Sequence, residues 1–133
     1  MFIRLATKDD YCYISHALAS KAIDYNKPSQ AKADIAAGRL YVLVDEGKVI
    51  AQCALVEEKD FNYTAMKRML VYRKENCGKG AMHMFIEFFS QFGCPLGATP
   101  WTENERTKHI LRKHGFEYQY TFAEKYEFFL KTP

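Results

Sequence analysis

The sequence predicts one mixed α/β domain. Its 133 residues suit a single domain large enough to bury a real core. Strand-forming runs alternate with segments of helical period along the whole chain. No linker, internal repeat or low-complexity stretch divides it, so residues 1–133 read as one unit.

Residues 2–6 read as an opening strand. Thr7, followed by Lys8, Asp9 and Asp10, reads as a helix start with a hydroxyl cap and carboxylates in the first turn. Tyr11, Ile14, Leu18, Ala22 and Tyr25 recur at helical spacing, so this helix is expected to reach about Tyr25 and to end at Asn26, Lys27 and Pro28. Ser29 can cap a second short helix that runs through Ala37 and closes at Gly38. Leu40–Val44 and Val49–Val56 form a hairpin around Asp45, Glu46 and Gly47. Residues 63–72 are the next strand.

From Gly80 the period becomes helical. Ala81, Phe85, Phe88, Phe89 and Phe92 form an apolar face, and His83, Glu87, Ser90 and Gln91 a polar one. His83 is therefore expected at the surface. Gly93 and Pro95 stop that helix, and residues 95–101 can form a short strand. Asn104 caps a helix that carries Arg112, Lys113 and His114 in its last turn, where cations suit the dipole, and that ends at Gly115. Strands near 116–122 and 125–131 are dense in aromatics and offer a surface for a homodimer.

The formal charge of +3, with no Lys/Arg run, argues against a dedicated nucleic-acid binder. The start has no long apolar stretch and does not read as a signal peptide, and the apolar stretch 80–96 is too short and punctuated to cross a membrane. Cys12, Cys53, Cys77 and Cys94 form no C-x-x-C pair and match no zinc spacing. Reduced thiols in a cytoplasmic protein are expected. His109 and His114 are five residues apart and do not share a helix face, so no metal site is expected.

The segment that carries chemistry is Leu70 to Ala81. A strand runs into a loop with Gly78 and Gly80, and the loop runs directly into a helix. Backbone N–H groups and a helix N-terminus then lie together at a strand end, an arrangement that binds phosphate oxygens. The glycines allow positive φ and close approach. The loop lacks the spacing of a P-loop and the third glycine of the dinucleotide fingerprint. A bare Gly-x-Gly is also compatible with a tight strand-to-helix turn that binds nothing.

At these residues the chain resembles the GNAT superfamily of N-acetyltransferases. The family's pyrophosphate motif, Gln/Arg-x-x-Gly-x-Gly/Ala, is matched by Glu75-Asn76-Cys77-Gly78-Lys79-Gly80, with Leu70 at the apolar strand-end position. The family's later pattern, an Asn opening a helix and then a Gly-Phe pair, is matched by Asn104 and Gly115-Phe116. Ile3 to Asp10 is similar to the family's first strand and helix start, and the element order matches along nearly the whole chain.

The resemblance implies a mostly antiparallel twisted sheet flanked by helices and a direct transfer from acetyl-CoA to an amine that the sequence does not name. It implies a cofactor site of Leu70, Val71, Tyr72, Asn76, Cys77, Gly78, Lys79, Gly80 and Ala81, with a backbone N–H near Leu70 to Tyr72 polarising the thioester carbonyl. It also implies that Asn104 lies near the pantetheine arm and that Leu111 faces the thiol end. Two positions depart from the pattern. Glu75 replaces Gln or Arg, and Leu111 replaces the tyrosine that often protonates the leaving thiolate. No carboxylate lies on 63–72, so Glu58, beside Glu57, and Glu103 are the candidate bases, each of a type common at solvated surfaces. The departures also admit a catalytically weak or inactive binding protein of the same fold, of a kind that a phage or mobile element could encode.

Overall fold

The computed structural model describes residues 1–21 and 27–133. Seven strands, β1 (Phe2–Leu5), β2 (Leu40–Asp45), β3 (Lys48–Glu58), β4 (Tyr63–Val71), β5 (Leu96–Ala98), β6 (Glu117–Phe122) and β7 (Tyr126–Lys131), form one sheet. Their order is β1-β2-β3-β4-β5-β7-β6. The described helices are α1 (Tyr11–Lys21), α2 (Pro28–Ala36), α3 (Ala81–Ser90) and α4 (Glu105–Lys113). The β4–β5 pair is parallel, and β1–β2, β2–β3, β5–β7 and β6–β7 are antiparallel. The expected mixed α/β architecture, with a mostly antiparallel sheet, is the one observed. Met1–Leu55 with Lys67–Ala81 and Val56–Met66 with Met82–Pro133 form two compact units that share the strands β3 and β4.

In the first unit, the chain turns from β1 into α1 through a 3-10 turn, Lys8–Asp10. The sequence predicts the Thr7 hydroxyl as the cap. Thr7 is the N-cap, and the Asp10 carboxylate completes a capping box by accepting the Thr7 N–H at 2.8 Å. Arg4 donates to both oxygens of the same carboxylate, at 2.8 and 3.0 Å. Those bonds to Arg4 are the largest cause holding Asp10 below the usual carboxylate range. α1 then buries Ile14 and Leu18. The expected extension through Ala22 and Tyr25 to a stop at Asn26 lies outside the described residues.

Pro28, expected to stop the first helix, instead opens the second, with Lys27 at the cap in place of Ser29. Its fixed φ and missing N–H suit the first helical position. Gly38, at φ 68°, ends α2 by donating to the Ile35 carbonyl at 3.0 Å. Glu46 (φ 50°) and Gly47 (φ 76°) make the two-residue hairpin turn between Asp45 and Lys48. Leu40, Val42, Leu43, Ala51 and Ala54 from this hairpin are fully buried.

In the second unit, α3 buries Phe85, Ile86 and Phe89, with the Phe85 and Phe89 rings stacked at 5.7 Å. Each such side chain contributes about 1.5–3 kcal/mol on full burial. Phe92, expected on the apolar face, lies beyond the helix end and is exposed. β5 is three residues long rather than spanning 95–101. Its middle residue, Gly97, meets the Tyr63 ring so closely that an added Cβ would lie 2.5 Å from it.

One polar arrangement in this unit differs from expectation, and a second, at Lys108, is a buried lysine. His83, expected at the surface, is half-buried and bonded to His114. His114, expected as a cation at the α4 C-terminus, is held below the ordinary histidine value, first by burial and then by His83. Lys108 is buried on α4 and donates to the Thr102 carbonyl at 2.7 Å and to Glu127 at 2.8 Å.

Candidate functional site

β4 delivers the chain to the glycine loop. Tyr72, one residue past the strand, is 3% exposed, and its N–H donates to the Ile50 carbonyl at 3.0 Å. Arg73 is extended and opens a 3-10 turn, Lys74–Asn76. Within the loop, Cys77 N–H donates to Lys74 at 3.1 Å and Lys79 N–H to the Asn76 carbonyl at 3.3 Å. Gly78 and Gly80 have φ of 93° and 79°, a region that strains L side chains. A Cβ on either would meet nothing within 4 Å. Conformation rather than crowding therefore selects glycine here, and both glycines present open backbone that another molecule can approach. Ala81, buried, begins α3, and the first N–H groups of a helix have no intrahelical acceptors.

Asn76 is the informative side chain of the loop. It is 8% exposed, and among the described residues its amide group has no hydrogen-bond partner. Leaving a buried amide unpaired costs about 1–3 kcal/mol, so such groups are the exception in folded proteins. A bound polar group in the loop would remove that cost.

The loop's charges are arranged around it. Lys79 Nζ lies 2.9 Å from Asp45 Oδ2, and this bond is the largest cause raising the lysine above its ordinary pKa. Glu75, at the position that departs from the family pattern, is 69% exposed and lies 3.9 Å from Arg73 Nη1, so its charge is solvated and partly offset. Cys77 is an exposed free thiol.

Behind the loop lies a buried polar network that the sequence reading did not single out. Arg68, within β4, has φ 55°, a left-handed conformation that costs a non-glycine residue roughly 1–2 kcal/mol. Its guanidinium holds the fully buried Asp34 of α2 in a fork, Nε to Oδ2 at 2.6 Å and Nη2 to Oδ1 at 2.9 Å. Arg39 Nε also donates to Asp34 Oδ1, at 2.7 Å. The Arg68 carbonyl accepts from the buried Gln52 at 3.1 Å, and Gln52 Oε1 accepts the Tyr72 hydroxyl at 2.7 Å. Burial is the largest cause pushing the Tyr72 phenol well above its ordinary pKa. The available signal was a charged Arg68 and a polar Gln52 inside otherwise strand-forming runs.

No protein-family model matches the sequence, and no curated protein does. Solved structures do match. A GNAT-family acetyltransferase from Streptococcus agalactiae aligns over 99% of this chain and 95% of its own, with a TM-score of 0.80 at 18% identity. One from Bacillus cereus aligns over 98% and 96%, with a TM-score of 0.78 at 14% identity. A spermidine N-acetyltransferase chimera from Vibrio cholerae and a second enzyme aligns over 99% and 96%, with a TM-score of 0.74 at 13% identity.

This chain has the GNAT fold.

Within the GNAT fold of this chain the remaining expected residues have distinct surroundings. Leu70 and Val71 are half-buried at the end of β4. Asn104 caps α4, its Oδ1 accepting the Thr107 N–H at 3.1 Å. Leu111 is fully buried. Glu58 ends β3 half-buried, close enough to Tyr63 to help raise the pKa of that phenol after burial, the larger cause. Glu103 is exposed in the turn before α4. Among the described residues, no group of three or more His, Cys, Asp or Glu is arranged to hold a metal, and no helix is long and apolar enough to cross a membrane.

Proposed function

We propose that this chain is an acetyl-CoA-dependent N-acetyltransferase that acts on an amine. The observation that carries the reading is the loop from Arg73 to Gly80: two positive-φ glycines with open faces, a buried side-chain amide at Asn76 with no partner among the described residues, and the start of α3, all in a GNAT fold. These groups suit the pyrophosphate of acetyl-CoA, with N–H donors and Lys79 supplying positive potential.

Acetyl-CoA, as co-substrate, supplies an acetyl group activated as a thioester for attack by a neutral amine. The chain's part is to bind and orient. Gly78, Gly80 and Ala81 offer backbone donors, and Asn76 offers its amide. Since the Tyr72 N–H is taken by the Ile50 carbonyl, the backbone at Leu70 and Val71 is left to offer an N–H to the acetyl carbonyl oxygen. Glu58 and Glu103 are the candidates for taking up the amine proton through water. The free thiols and the cytoplasmic supply of acetyl-CoA fit a cytoplasmic protein.

Isothermal titration with acetyl-CoA and with CoA tests the binding step, and thiol release across an amine panel tests the transfer. Saturable binding with acceptor-dependent thiol release is expected. No heat with either ligand at high micromolar concentration would overturn the reading. Glu58→Gln and Glu103→Gln, assayed across pH, test the base. Wild-type rates in both would assign deprotonation of the amine to bulk solvent.

A further inference from the structure

We infer that the Asp34–Arg68 ion pair is the positioning element of the acetyl-transfer site, holding the left-handed residue of β4 so that the backbone N–H groups just after it are aimed at the thioester carbonyl. The inference rests on the proposed acetyl-CoA reading and deepens it.

Arg68 is a non-glycine residue at φ 55° inside a strand, two residues before Leu70. Such a conformation persists only where the surroundings over-determine it. Here they do so from both ends of the residue. The side chain is held by two bonds to a carboxylate with no exposure, itself anchored on α2 and steadied by Arg39. The carbonyl is held by Gln52, which is in turn oriented by the Tyr72 hydroxyl. A buried charge pair of this kind is weak evidence for stability, since apolar replacements often do as well. A role in fixing one backbone geometry accounts for it better. The parallel β4–β5 ladder pairs Thr64 with Leu96 and Ala65 with Gly97, and β4 runs on to Val71 beyond it, so the held residue lies in the part of β4 past that ladder. An electrostatic donor of this type works by being pre-aimed, and a loosened strand loses the aim without losing the donor.

The test uses full-length protein and acetyl-CoA carrying an isotopic label at the acetyl carbonyl, whose infrared band reports polarisation. Arg68→Gly tolerates the same φ but removes the fork. Asp34→Asn removes its charge, and Arg68→Lys keeps the charge but not the planar fork. In wild type the bound carbonyl band is expected below its solution position. In Arg68→Gly and Asp34→Asn it should return toward the solution position, with kcat reduced at least about tenfold and the acetyl-CoA Kd within about threefold of wild type. Arg68→Lys should recover part of both signals.

A wild-type band at the solution position, or variants that keep the wild-type shift and kcat, would overturn the inference while leaving acetyl-CoA binding intact. No binding of acetyl-CoA by wild type would overturn the functional reading itself, and this inference with it. If Asp34→Asn does not fold, Arg68→Gly and Arg68→Lys still decide the matter, because neither requires a new strained backbone.

Discussion

The imidazoles of His83 and His114 meet nitrogen to nitrogen, Nδ1 to Nε2, at 2.6 Å. One nitrogen must donate and the other accept, so at least one ring is neutral. Burial, His83, Lys131 and Lys113 all lower the His114 pKa, and Glu87 alone opposes them. A histidine held lower in the folded state contributes stability that is fully present above its unfolded pKa, about 6.5, and is lost as pH falls from there through the folded value. Thermal unfolding is therefore expected to show a falling Tm below about pH 6.5, well above the range where the Arg4–Asp10 pair titrates. His114→Gln should flatten that slope. A wild-type Tm that is level across this range would contradict the pairing.

Gly80 tests the loop. At φ 79° any L residue is strained, so Gly80→Ala should cost roughly 1 kcal/mol of stability, and its Cβ, which meets no protein atom, would stand in the open space proposed for the pyrophosphate and should weaken CoA binding. Gly80→Asp adds a negative charge to the same strain and should abolish CoA binding. Equal affinities for the two variants and wild type, measured by titration calorimetry on folded protein, would remove the loop from the site.

Asn104 and Leu111 separate capping from core. Asn104→Ala should cost about 1 kcal/mol through the lost bond to the Thr107 N–H. If its side chain also serves the pantetheine arm, CoA affinity falls with it, and if it is a cap alone, affinity stays. Leu111 is fully buried, so Leu111→Ala should cost about 2–5 kcal/mol. Leu111→Tyr should also destabilise, by about 1–3 kcal/mol, because a well-filled site must give way. A stable Leu111→Tyr variant with higher turnover would instead return that position to the chemistry. Denaturant unfolding and thiol-release assays on the same samples read both.

Gly97 makes a second, purely packing demand. A Cβ there would lie 2.5 Å from Tyr63 Cε2 and 3.0 Å from Phe128 Cε1. Gly97→Ala should destabilise by about 1–3 kcal/mol, through displacement of the Tyr63 ring. Gly97→Ala combined with Tyr63→Leu should recover part of the loss, since the ring is the obstacle. A Gly97→Ala protein as stable as wild type would show that the ring yields freely.

The sequence by itself determined the order of elements, because each is announced locally. Strand formers flank Glu46-Gly47, the helical period switches on after Gly80, Asn104 caps, and Gly38, Gly93 and Gly115 follow helix ends. It also determined the candidate loop, since positive φ at Gly78 and Gly80 is a property that glycine carries in its chemistry. Locally ambiguous signals went the other way. Pro28 can end one helix or begin the next, and Lys27 rather than Ser29 takes the cap of α2.

Tertiary structure alone decided the partners. Asp34 and Arg68 are thirty-four residues apart and form the same fork that no spacing rule encodes. Gln52 meets the Arg68 carbonyl, and His83 meets His114, only because packed elements bring them within bonding distance. Local propensity depends on neighbours within a turn or two, whereas pairing of buried polar groups depends on which distant groups share their exclusion from water. For that reason the loop could be read from the chain, and the network that holds the strand behind it could not.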